Sequence, residues 1–153
     1  MATSTLIQFL AEGQAGDTSN RRQTEDFIAS GAITKGDWVA FDVSKTAADK
    51  ALYVVQSPAA AGSALVVGIA DNTAAANDRV KVVIAGYVQA ANVATGTAAG
   101  AALQLTGTAG RAGAAAYVGD GSGAAAIPLP GVCGVALTLA AANVAEVMVY
   151  KNF

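Results

Sequence analysis

The chain has 153 residues, a net charge of −2, 54% hydrophobic residues and only 13% charged ones. That length suits one domain with a real core, and the apolar mass is Ala and Val rather than aromatics. There is no basic stripe to hold nucleic acid. The absence of histidine removes the commonest general base and metal ligand, and one cysteine supports neither an intramolecular disulfide nor a thiolate zinc cluster.

Residues 1–28 read as an N-terminal arm. Thr5-Leu-Ile-Gln-Phe-Leu10 is a short strand or a helical turn, and Glu12 to Thr24 is polar and irregular. Disordered tails lack such anchors, so Leu6, Ile7, Phe9 and Leu10 are expected to dock on the chain's own domain or on a neighbour. The start of the chain lacks a basic n-region, and Leu6 to Leu10 is too short for a signal core.

Residues 29–153 read as a β-rich domain. A glycine turn at Gly31 leads to a strand over Trp38–Val43, and a charged loop Lys45–Lys50 precedes a second strand over Ala51–Gln56. Trp38, the one tryptophan, is expected in the core or at a subunit interface. Ala64–Ala70 is a strand and Arg79–Ala90 a long one. Val80, Val82 and Ile84 face one way, and Arg79, Lys81 and Val83 the other, which is the half-buried antiparallel pattern. Leu103–Leu105, Ala114–Val118 and Val147–Tyr150 are further short strands. The nearly uncharged stretch from Gly121 to Ala145 is broken by Pro128, Pro130, Gly131, Gly134 and Asn143, so it does not read as a membrane span.

One cassette occurs twice. Val66-Val-Gly-Ile-Ala70 followed by Ala74-Ala-Ala-Asn77 recurs as Val132-Cys-Gly-Val-Ala136 followed by Ala140-Ala-Ala-Asn143, with the glycines 66 residues apart. Beyond the asparagine, matching Val80-Lys-Val82 to Val147-Met-Val149 implies one residue gained in the second copy. A weaker echo precedes each cassette: Gly36, Val39 and Phe41 match Gly100, Leu103 and Leu105 at an offset of 64. The repeated Ala-Ala-Ala-Asn could nucleate a helical turn, though so short a run is marginal as a helix without packing. The expected fold is mainly β: a compact antiparallel sandwich or barrel built on the repeated strand–turn–strand unit, with an extended N-terminal arm.

No motif carries chemistry. Gly119-Asp-Gly-Ser-Gly123 lacks the Gly-Lys-Ser/Thr ending of a phosphate loop and fails the nucleophile-elbow pattern, so it reads as a turn. The carboxylates are scattered without calcium-loop spacing. The Asp71/Asp78 loop reads as a polar turn in preference to a weak cation site. Cys133 reads as a small buried hydrophobe. No catalytic residue, metal or cofactor is expected.

The cassette residues carry a resemblance. Gly68-Ile-Ala70, Ala74 to Asn77, Val80-Lys-Val82, Gly86-Tyr-Val88, Ala99 to Leu103, Gly134-Val-Ala136-Leu and Ala140 to Val149 are similar to the phage capsid decoration (cement) proteins, long filed as a domain of unknown function. The match spans roughly Gly31 to Lys151. It departs where the family has Gly and then an acidic residue after the alanines, against Asn77-Asp78 and Asn143-Val144 here.

The resemblance implies a non-enzymatic virion protein, homotrimeric at capsid three-fold positions. It would bind the major capsid protein on the outer surface of the expanded icosahedral head and stabilise it against DNA pressure. The arm, through Leu6, Ile7, Phe9 and Leu10, is the expected capsid-facing element, by strand addition. No direct nucleic-acid or membrane contact is expected. The alternative is a tail-fibre or adhesin module that binds a receptor glycan.

Overall fold

In a computed structural model of the chain, residues 22–57, 65–115, 117–118, 127–128 and 131–150 are described, with the backbone alone at 117–118 and 127–128. The first five strands are β1 (Gln23–Ala29), β2 (Trp38–Phe41), β3 (Tyr53–Gln56), β4 (Val66–Ala70) and β5 (Arg79–Asn92). β1 pairs antiparallel with β5 and parallel with β3, which closes the circuit β1-β3-β2-β4-β5 into a barrel. Residues 23–28 therefore belong to the barrel, with Phe27 and Ala29 in its core. An arm ends no later than residue 22. The polar run Gln23-Thr-Glu-Asp26 conceals this strand because only its C-terminal part turns side chains inward.

The barrel core is Phe27, Ala29, Ile33, Val39, Val54, Val67, Ala70, Ala74, Val80, Val82 and Ile84. On β5, Arg79 and Lys81 stay exposed as their alternation requires, but Val83 is buried on the outer face. The reason is the second half of the molecule. β5 is 14 residues long, and beyond Gly86, whose φ is +104°, it leaves the barrel and pairs with β11 (Val144–Val149). β11 pairs with β10 (Val132–Ala136), β10 with β6 (Ala102–Leu105), and β6 with β7 (Ala112–Ala114). A parallel bridge from Val93 to Ala112 completes this circuit. β8 (Tyr117–Val118) and β9 (Ile127–Pro128) form a separate two-stranded pair.

The two circuits share one strand order and a set of matching backbone hydrogen bonds. Gly36 N–H donates to Ala70 O at 2.8 Å, as Gly100 N–H does to Ala136 O at 2.8 Å. Ala74 N–H donates to Ile33 O at 3.0 Å, and Ala140 N–H to Thr97 O at 2.9 Å. Ser30 N–H donates to Val54 O and Ala94 N–H to Ala112 O, each at 2.8 Å. The register of β4 against β2 slips at Val67, and that of β10 against β6 slips at Cys133, so the bulge is duplicated too. Each bulge is followed by its glycine. A Cβ on Gly68 would collide with the Val83 carbonyl, and one on Gly134 would sit 2.5 Å from the Met148 carbonyl oxygen. Glycine lets the neighbouring strand close in at both places.

The closing strands correct the expected alignment. Ala70 pairs with Val82 and Ala136 with Val147, so Val82 matches Val147 and the second copy is one residue shorter, not longer. The difference lies in the turn. Asp78 N–H bonds to Ala75 O with Asn77 alone at positive φ (69°), a type II pattern. In the second copy Val144 N–H bonds to Ala141 O with Ala142 and Asn143 both at positive φ (48° and 64°), the type I′ pattern of a two-residue hairpin. Neither alanine run forms a helix.

The bulge lets β4 serve two cores. Val67 and Ala70 point into the barrel, while Val66 and Ile69 join Trp38 and Val83 on its outer face. There they pack with the interior of the second circuit, which includes Val93, Leu103, Leu105, Cys133, Ala136 and Val147.

Candidate functional site

Between the two circuits runs a polar seam. Asp37 is buried, and its carboxylate accepts from Thr34 N–H at 3.0 Å, Gln56 Nε2 at 2.9 Å and Asn92 Nδ2 at 3.3 Å. Arg111 Nε donates to Asn92 Oδ1 at 3.1 Å. Buried Ser57 accepts Gly110 N–H through Oγ at 3.0 Å, and Gly110 O accepts Trp38 N–H at 3.0 Å. A Cβ on Gly110 would reach within about 3 Å of Gln56 and Asp37, so glycine is required for the 106–111 loop to seat here. Of these donors Thr34 and Gln56 belong to the same half as Asp37, and Asn92 carries the contact across to the other. Sequence reading missed this seam; the signal was an aspartate wedged between Gly36 and Trp38, directly ahead of a strand.

The seam opens at one edge into a concavity of about 350 Å³ lined by Lys35, Ala90, Asn92, Arg111, Asn143 and Val144, among others. A second open concavity, about 420 Å³, is lined by Asp26, Asp71, Asn72, Arg79 and Lys81. Arg22 pairs with Asp71, and Arg79 with Asp26 at 2.6 Å. Asn72 Oδ1 accepts Lys81 N–H at 2.7 Å, and Asp78 Oδ2 accepts Ala75 N–H at 3.3 Å. Asp71 and Asp78 thus serve separate local contacts, as a polar turn requires. Among the described residues no three His, Cys, Asp or Glu converge on a point.

The corresponding turn of the second copy keeps the scaffold and changes the chemistry. Thr138 Oγ1 accepts Glu146 N–H at 3.0 Å, in the place of Asn72 and Lys81. Leu137 stands where Asp71 does, Leu139 where Thr73 does, and Val144 where Arg79 does. Their exposures are 41%, 64% and 47%. Grouped exposed apolar side chains are the usual mark of a contact surface. Another apolar group, Val43, Leu52 and Leu65, is exposed at the β2–β3 end of the barrel.

Leu6, Ile7, Phe9 and Leu10 lie outside the described residues. Trp38 is wholly buried within the chain and leaves no side-chain surface for a neighbouring subunit; its place is the junction between the halves. Cys133 is buried, its thiol donates to Leu103 O at 3.3 Å, and burial pushes its pKa up to about 12.

No family model matches the chain, and no curated protein matches it in sequence. Among solved structures it is similar in fold to the N base of the head fibre protein gp8.5 of bacteriophage phi29. The TM-score is 0.54 at 14% identity, over 85% of this chain and 95% of that one.

Proposed function

We propose that this chain is a structural, non-enzymatic protein of a phage head, carried on the outer capsid surface and bound to the major capsid protein. The observation that carries the reading is the fold shared with the phi29 head-fibre base along most of both chains. The surface chemistry supports it: few charges, carboxylates engaged in turns and ion pairs, and apolar residues grouped on loops. As a decoration protein the chain would reinforce joints between capsid subunits, in many copies whose second contacts form at high effective concentration. We place the self-contact of a homo-oligomer in the β-domain and the capsid contact in residues 1–21.

A second reading follows from the same neighbour: a base that attaches a fibre to the head. The test is deletion of residues 1–21, which spares β1. The truncated protein should keep its β fold by circular dichroism and fail to sediment with expanded heads. Binding equal to that of the full chain would overturn the assignment of the arm.

A further inference from the structure

Because the two circuits are copies, the contact between them is a template for a contact between molecules. The first circuit receives the second on its outer face, through Trp38, Val66, Ile69 and Val83. What seats there is the 106–111 loop, whose Gly110 bonds to Trp38 and Ser57. Both partners of this contact have counterparts that the chain itself leaves exposed or partly exposed.

The receiving face recurs on the second circuit as Ala102, Val132, Val135 and Met148. Its local framework is the same: Ala115 N–H donates to Ala102 O at 2.7 Å, as Ser57 N–H does to Trp38 O at 2.8 Å. The four first-circuit residues are fully buried, whereas these four are partly exposed. Beside them, Gln104 is 7% exposed, and its Oε1 has no hydrogen-bond partner among the described residues. A buried acceptor without a donor is costly.

The topological counterpart of the inserting loop is the β2–β3 connection, which is longer, carries a 3-10 turn at Ala47–Ala51 and has Leu52 at the position of Gly110. It is held in shape by Ser44, whose N–H and Oγ–H both bond to Asp42 Oδ1 at 3.0 and 2.6 Å, and by Lys45 Nζ, 4.5 Å from the centre of the Tyr53 ring. It presents Val43 and Leu52, exposed 57% and 44%. A shaped loop with an apolar tip and a partly apolar sheet face are thus displayed on different halves of one chain.

We infer that the chain binds a second copy of itself head to tail, the Val43/Leu52 loop of one molecule seating on the Ala102/Val132/Val135/Met148 face of the next. The contact is heterologous, so repetition builds a closed ring or an open filament. It gives a concrete surface to the self-association proposed above. It is tested without heads, so its failure leaves the capsid reading standing.

The experiment is sedimentation equilibrium of the full chain and two variants. The wild type should associate with rising concentration. Leu52→Glu, at an exposed site where folding is not at stake, should weaken association at least tenfold, as should Val135→Glu. Mixed one to one, the variants retain one intact loop and one intact face between them, and should form a capped dimer and nothing larger. Circular dichroism controls for folding of Val135→Glu; should that variant unfold, Val132→Lys takes its place. A wild type that stays monomeric at all concentrations would overturn the inference. So would association unaffected by Leu52→Glu, or variants that fail to pair when mixed.

Discussion

Gly68→Ala tests the duplicated bulge at its tightest point. The added Cβ collides with the Val83 carbonyl oxygen, and also lies 2.9 Å from the carbonyl carbon and 3.0 Å from Val82 Cγ1. Two of these atoms are backbone of the paired strand, so no rotamer change relieves the contact. β4 and β5 must separate, at the point where Ile69 pairs with Val83 and Ala70 with Val82. Overpacking costs about 1–3 kcal/mol, and each ladder hydrogen bond lost adds about 1 kcal/mol. The sum is about 3–5 kcal/mol, a large share of the roughly 5–15 kcal/mol that holds a domain folded. For a chain of this length that lowers Tm by about 10–15 °C. Guanidinium unfolding followed by the fluorescence of Trp38, with calorimetry alongside, measures both. Gly134→Ala, 2.5 Å from the Met148 carbonyl oxygen, should behave alike. Gly107→Ala is the control, since nothing lies within 4 Å of its added Cβ and its φ is not positive. Loss of less than about 1 kcal/mol in Gly68→Ala, or a loss as large in the control, would show that the clash with the Val83 carbonyl does not hold β4 and β5 in register.

Other substitutions probe the turn, the junction and the buried thiol. Ala142→Gly relieves a left-handed alanine at the type I′ turn and should raise stability by about 0.5–1 kcal/mol in denaturant titration; a loss would contradict the turn assignment. Asp37→Asn replaces one of two acceptor oxygens facing three donors and should cost about 2 kcal/mol, read as a shift in the unfolding midpoint at unchanged slope. With a pKa of about 12, the Cys133 thiol is about one part in ten thousand thiolate at pH 8. Alkylation should be negligible in the native state and rapid in guanidinium, so fast native labelling detected by mass spectrometry would contradict its burial.

The repeat was legible because glycine at a bulge and asparagine at a turn are choices that composition alone does not force. Its exact alignment was not. Side chains alternate with a period of two, so offsets of 65 and 67 bury the same faces of β11, and only the ladder from Ala136 to Val147 separates them. β1 escaped notice because Gln23, Thr24 and Asp26 point away from the core. Val83 was expected outward with Arg79 and Lys81, and it does point outward, but onto a second circuit that no single strand pattern reveals. The junction was hidden for the same reason: Asp37, Gln56, Asn92 and Arg111 are far apart in sequence and meet only when the circuits pack. The change from Asp71 and Arg79 to Leu137 and Val144 becomes informative only once the two turns are superposed.

The proposed attachment to the outside of a phage head can be seen directly. The direct measurement is electron cryomicroscopy of expanded, undecorated phage heads mixed with the purified protein. Density is expected on the outer surface at three-fold or quasi-three-fold positions, fitted by two joined β circuits. Heads that stay bare at saturating protein would contradict it.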